Sequence, residues 1–198
     1  MALKKSVSVG MKRILAVVLL TGLGIAQGSY LPVSIQYQLM LKILTFDRNL
    51  KIRGENEIML GIVYRGTWEA SSEAKDELVK AMEAAFPRQI DGIPIRYTVV
   101  EMRDKNSFAQ SVEQNKVNLL YITPLSSDDL KAILSVCRAK RIPTVTGTAA
   151  FVENGVAVGF RKMGEKSEIL INLSAARDQG FNFSSRLLHL AKIFGRLD

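Results

Sequence analysis

The chain is poor in the side chains that most often carry chemistry. Its 198 residues include one cysteine, Cys137, and one histidine, His189. A lone cysteine excludes an internal disulfide and a paired-thiol redox centre. Cys137 follows Leu130, Ile133 and Leu134 at helical spacing, so it reads as a small apolar side chain buried on that stripe. A lone histidine leaves no His, Cys or carboxylate set at metal-ligand spacing, and no HExxH pair or GxSxG elbow is present. Phosphate loops are missing too. Thr146-Gly147-Thr148-Ala149-Ala150 has neither the glycines of GxGxxG nor the lysine of a P-loop, and reads as a turn into the next element. Asp128 and Asp129 read as the charge of a helix start, not as an acid–base couple. The expectation is a protein with no catalytic residues, no metal and no cofactor.

What is present at the start is directional. Met11-Lys12-Arg13 precedes an apolar run, Ile14 to Ala26, with small residues at its exit. A basic head, a short apolar stretch and a small-residue exit form the layout of a secretory signal. The run falls short of the roughly 20 residues a transmembrane helix needs. Either Met1 or Met11 can be the start, and cleavage is expected near Ala26. The domains are then 1–26, an N-terminal extension with signal peptide, and 27–198, a single α/β domain in the periplasm. Removing Lys4, Lys5, Lys12 and Arg13 with the leader takes the net charge from +8 to +4. The remaining charges are mixed along the chain, which argues against a nucleic-acid partner.

The rest alternates between two periodicities. Ser34 to Phe46 predicts a first helix. Ile58 to Val63 is a nearly unbroken apolar run, as in strands buried on both faces of a parallel sheet. A helix capped by Ser71 or Ser72 runs to Phe86, burying Leu78 and Met82. Ile93 to Met102 predicts a strand, Ser107 to Gln114 a helix and Val117 to Ile122 a second buried strand. Ser126 or Ser127 caps the Cys137 helix, and Ile142 to Thr146 is a short strand. Val156 to Phe160 and Ser167 to Asn172, joined by a polar turn at 162–166, predict a β-hairpin added at one edge of the sheet. A last helix is expected from Ser185 to Phe194, with His189 beside Lys192 and Arg196. The architecture predicted is one three-layer α/β domain: a mostly parallel sheet, flanking helices, and an added C-terminal hairpin and helix.

Phe151, Phe160, Phe181 and Phe183 gather in the last third. Buried, they are core; exposed, they are interface anchors. The same region carries Asn154-Gly155-Val156-Ala157-Val158-Gly159-Phe160 and Ile169-Leu170-Ile171-Asn172-Leu173-Ser174-Ala175-Ala176-Arg177. Gly180-Phe181-Asn182-Phe183-Ser184-Ser185 then leads into Arg186-Leu187-Leu188-His189-Leu190-Ala191-Lys192. Over roughly Thr146 to Phe194 this resembles the YfiR/HmsC family. The resemblance implies a periplasmic regulator that represses a membrane-bound diguanylate cyclase by docking on its periplasmic sensor domain. Cyclic di-GMP and biofilm formation would then fall. Relatives beside sensor kinases make such a kinase the other expected partner, and a homodimer is a further possibility. Well-known members carry disulfide-forming cysteine pairs, and Cys137 stands alone. The expected contact surface is the hairpin and its flanking loop, through Phe151, Glu153, Phe160 and Ile169. Arg186 and His189 of the last helix are a second candidate. The rival reading is a periplasmic small-molecule-binding receptor serving a transporter or sensor kinase.

Overall fold

The computed structural model describes residues 31–85 and 88–195, so the signal at 11–26, Phe86 and Arg196 lie outside it. After helices α1 (Val33–Leu44) and α2 (Leu50–Arg53), the chain enters β1 (Ile58–Tyr64) and returns through α3 (Glu69–Ala84). Strands β2 (Gln89–Ile90) and β3 (Ile93–Glu101) form a tight hairpin. Helix α4 (Lys105–Gln114), β4 (Leu119–Ile122), α5 (Ser127–Lys140) and β5 (Thr144–Thr146) follow. The last third runs α6 (Ala150–Glu153), β6 (Val158–Met163), β7 (Lys166–Asn172), α7 (Leu173–Asp178), α8 (Ser185–Leu188) and β8 (Lys192–Phe194).

The sheet order is β2-β3-β1-β4-β5-β6-β7-β8. Strands β3, β1, β4, β5 and β6 are parallel, and β7 turns back antiparallel to β6. Each face carries its own core because successive side chains of a strand point to opposite sides. Leu119 and Tyr121 of β4 join Tyr37, Met40, Leu78 and Met82 beneath α1 and α3. Leu120 and Ile122 join Phe108, Val112, Ile133 and Cys137 beneath α4 and α5. The near-continuous apolar runs of β1 and β4 are the sequence counterpart of this two-sided burial.

Local chemistry sets the helix starts. Asp104 accepts hydrogen bonds from the Asn106 and Ser107 amides and caps α4, which begins before Ser107. Ser126 caps α5 through the Asp129 amide. The start of α3 departs from expectation, since Ser71 and Ser72 lie inside the helix. Ser71 Oγ accepts from the Arg65 amide at 2.8 Å and pairs with Thr123 Oγ1 at 2.7 Å, which donates to the Val63 carbonyl. This relay fastens the first turn of α3 to the carboxyl ends of β1 and β4, so the serine is used inward and is lost as a cap.

The end of the chain also departs from expectation. The helix starting at Ser185 stops at Leu188, and Lys192–Phe194 forms a strand parallel to β7. β-Branched Ile193 and aromatic Phe194 suit an extended backbone. Strand β7 would otherwise leave a row of unpaired amides and carbonyls, which β8 satisfies. The hairpin is therefore covered by one more strand and is not the edge, and His189 leaves the basic helical face foreseen for it. The hairpin turn itself is tighter than 162–166, with Met163 paired to Lys166 and Gly164 at φ 58°.

At the amino edge of the sheet a polar knot ties the two halves of the chain. Asp47 is buried and accepts from Arg53 Nη1 at 2.6 Å, the Asn182 amide at 2.9 Å and the Asn49 amide at 3.1 Å. Arg53 Nη2 and Asn49 Nδ2 both donate to the Gly180 carbonyl. The guanidinium lies 5.0 Å over the Phe181 ring, which stacks on Phe183 at 4.5 Å. Phe181 and Phe183 are thus core, and the Gly180–Ser184 motif is a structural clasp.

Candidate functional site

The sheet reverses its winding at β1. Helix α3 carries the chain from β1 outward to β3 on one face, and α4 returns it past β1 to β4 on the other. Outside the carboxyl ends of the two strands at such a switch point the loops part, and open α/β sheets bind ligands there. A cavity of about 540 Å³ occupies this place. It lies within the range typical of small-molecule sites.

Four segments build it. The first turn of α1 contributes Leu31, Pro32, Val33 and Gln36, and the turn after β1 contributes Trp68. Helix α3 presents Ala70, Glu73, Ala74 and Glu77, spaced three and four apart so that they share one face. The ends of β4 and β5 supply Tyr121, Pro124, Gly147 and Thr148. The indole of Trp68 is 42% exposed and stands as an apolar wall at the opening.

The floor is polar and fully paired. Tyr121 donates its phenol to Gln36 Oε1 at 2.5 Å, and Gln36 Nε2 donates to the Leu31 carbonyl at 2.5 Å. Burial holds the Tyr121 phenol well above its ordinary pKa, and the Glu77 carboxylate adds to the shift. The Gln36 amide lies where a side chain at Gly147 would project, so only glycine leaves room for this arrangement. The ring-hydroxyl, amide and carbonyl chain is stiff, while Glu73 and Glu77 above it are exposed. Among the described residues, no arginine, lysine or histidine lines the cavity.

The residues expected to meet a partner fall in separate places. Phe160 is 1% exposed and packs in the core under α1, so it offers no contact surface; it is corrected to a core residue. Ile169, its cross-strand partner, is half-buried against the same core. Phe151 of α6 is half-buried against the opposite core, with Glu153 exposed two residues on. The fold therefore does not gather these four. Arg186 and His189 are both exposed on α8 and the turn after it, next to Leu190 at 67% and Ile193 at 38% exposure. Leu190 and Ile193, which the sequence placed on the expected last helix, lie instead in the turn after α8 and in β8, and both are exposed. Sequence reasoning missed Trp68, whose signal was that the one tryptophan follows directly on the first buried strand.

Among the described residues no group of three His, Cys, Asp or Glu side chains is placed to hold a metal ion. No helix among them is long and apolar enough to cross a membrane. Cys137 is buried, and desolvation pushes its thiol up to about 12.

The class defined by the fold is a doubly wound, mostly parallel α/β domain with an opening at its switch point. Three solved structures share the fold. A conserved domain protein from Vibrio cholerae O1 biovar eltor superposes with a TM-score of 0.56 at 15% identity, covering 82% of this chain and 60% of its own. The ABC domain in complex with L-Trp from Streptococcus pneumonia gives 0.53 at 14% identity, covering 82% and 62%. The ligand-free, open form of CD0873, a substrate binding protein with adhesive properties from Clostridium difficile, gives 0.51 at 16%, covering 74% and 57%. The chain thus spans about three fifths of the length of these structures, and at such identities they are alike in fold alone. No curated protein sequence matches the chain.

The particular family follows from sequence. The chain belongs to the YfiR/HmsC-like family, whose profile matches residues 66–192. The match reaches upstream of the C-terminal motifs and takes in the turn after β1. The family is one of periplasmic regulators of the diguanylate cyclase kind.

Proposed function

We propose that this protein docks on the periplasmic domain of a membrane-bound diguanylate cyclase and holds it in its inactive conformation. Cyclic di-GMP output and biofilm formation then fall. Family membership over residues 66–192 is the observation that supports this reading. The secretory signal read at 11–26 gives the matching address, with cleavage near Ala26. Such a regulator needs no reaction chemistry. It shifts its partner only by preferring the inactive conformation, and a full reversal of a two-state enzyme takes about 5.5 kcal/mol of preference.

The surface we assign to docking is the rim formed by α8, the following turn and β8. Exposed Leu190 and Ile193 supply apolar area, and Arg186, His189 and Lys192 surround them with donors. Strand β8 also presents an outer edge to which a partner strand can add. Tagged mature protein should recover a diguanylate cyclase from solubilised membranes of its own cell, and Leu190→Asp with Ile193→Asp should lose it while keeping the native circular dichroism. Undiminished recovery by that variant removes the assignment to this rim, and recovery of no signalling enzyme removes the docking reading.

A second reading, a periplasmic small-molecule-binding receptor, is supported by the cavity at the switch point. One structural neighbour is a substrate binding protein, which agrees with it, and this chain spans 57% of that protein's length.

A further inference from the structure

The cavity has a chemical bias that its position does not require. Its lining combines two exposed carboxylates, Glu73 and Glu77, with the Trp68 ring and the apolar side chains of Leu31, Val33 and Ala74. Among the described residues it holds no positive side chain. The buried polar groups nearby are engaged with one another: the Tyr121 hydroxyl donates to Gln36 Oε1, and Gln36 Nε2 donates to the Leu31 carbonyl. The Thr148 amide is likewise taken by Thr146 Oγ1 at 3.0 Å. An anionic group entering here meets two carboxylates and, among the described residues, no positive side chain to offset them; the neutral Thr148 hydroxyl and Trp68 N–H are the side-chain donors left to it. A cation meets both carboxylates and the face of an indole, the ring that binds cations best.

We infer that this cavity is a binding site for a small organic ammonium ion carried on an apolar body. Trp68 and the alanine face of α3 take the apolar body, and Glu73 and Glu77 take the ammonium group. Glu69 in the first turn of α3 offsets the positive end of that helix, which leaves the carboxylates of its next two turns to set the sign of the site. The inference deepens the receptor reading by naming its ligand class, and it stands apart from docking at the α8–β8 rim.

Trp68 is the one tryptophan of the chain and lines the cavity, so its fluorescence reports occupancy directly. The test titrates the mature protein with three probes of one shape: phenethylamine, phenylalanine and 3-phenylpropionate. Phenethylamine should change the Trp68 emission and bind about tenfold or more tightly than the acid, a difference of ~1.4 kcal/mol. Its affinity should fall with added salt, since the carboxylates are exposed. Glu73→Gln with Glu77→Gln should weaken it about tenfold without changing the melting temperature, as followed by calorimetry and fluorescence together. Tighter binding of the acid or the amino acid overturns the charge assignment, because the helix ends would then rule the site. Binding of none of the three at millimolar concentration overturns the receptor reading itself.

Discussion

Helix α1 joins two edges of the sheet that solve the same problem in opposite ways. Its first turn lines the cavity at the carboxyl edge, and the chain beyond its last turn reaches Asp47 at the amino edge. Both ends bury polar groups. At Asp47 every partner is supplied from within the protein: a guanidinium, two backbone amides, and two stacked phenylalanines that exclude water. At Gln36 the floor is equally paired, but the walls stop short and leave an exposed indole and two carboxylates over an opening. The first arrangement ties residues about 130 positions apart and has nothing to offer a ligand. The second gives up burial and keeps a surface. Closed polar networks serve the fold, and open ones are where a binding function can sit.

The largest expected effect comes from breaking the closed end. Asp47→Ala leaves Arg53 in a site where its side chain is 9% exposed, with no counter-charge. Removing one partner of a buried pair costs about 3–5 kcal/mol, to be read as a fall in the urea midpoint with the slope unchanged. The Gly180–Phe183 segment should lose hydrogen-exchange protection first, because Asp47 and Arg53 hold it.

A smaller effect is expected where the open end meets the core. Gly147→Ala pushes a methyl group into the Gln36 amide and disrupts its bonds to Tyr121 and Leu31. Overpacking of this kind costs about 1–3 kcal/mol. It should also change the emission of Trp68 across the cavity, which an equal loss of stability at Asp47 should not do.

Least costly to stability is the wall itself. Trp68→Ala should change stability by less than ~0.5 kcal/mol, as surface positions do, while removing the apolar surface of the cavity. Combined with Asp47→Ala the two effects should add within about 0.5 kcal/mol, since the sites share no partner. A larger coupling would mean that α1 transmits strain between the two edges.

The smallest signal is alkaline. Burial raises the Cys137 thiol to about 12 and moves the Tyr121 phenol in the same direction. The folded state then holds its protons where the unfolded chain releases them. The stability gained from burying the neutral groups is whole below about pH 8.5, the ordinary thiol value, and is lost as pH rises through the shifted values. Urea midpoints should be level from pH 7 to 8 and decline above pH 9. A thiol reagent at pH 8 should label Cys137 only at the rate of unfolding.

The residue patterns made much of this protein legible before any coordinates. The unbroken apolar runs of β1 and β4 signalled burial on both faces. The stripe ending in Cys137 was a core stripe, and the C-terminal motifs pointed to the YfiR/HmsC-like family. Each of these signals is local, lying within one element or one stretch of chain. The errors share a different character. Ser71 looked like a cap because its partner Thr123 is 52 residues away. Lys192–Phe194 looked helical because the edge it completes belongs to β7. Phe160 and Phe151 looked like neighbours on one surface, whereas α6 and β6 send them into opposite cores. Trp68 gave no periodic signal at all.

The sequence by itself determined the alternation of elements, the two-sided sheet, the inert cysteine and the family. Those follow from side-chain spacing and short-range backbone preference, which a linear chain displays openly. Only the tertiary structure decided where the winding reverses, and with it which four segments surround a cavity. It alone spent Ser71 and Asp47 inside the fold, and set Trp68 beside the exposed Glu73 and Glu77. The physical reason is that pairing and burial depend on partners brought in from distant positions, and a residue's role is set by whether such a partner arrives.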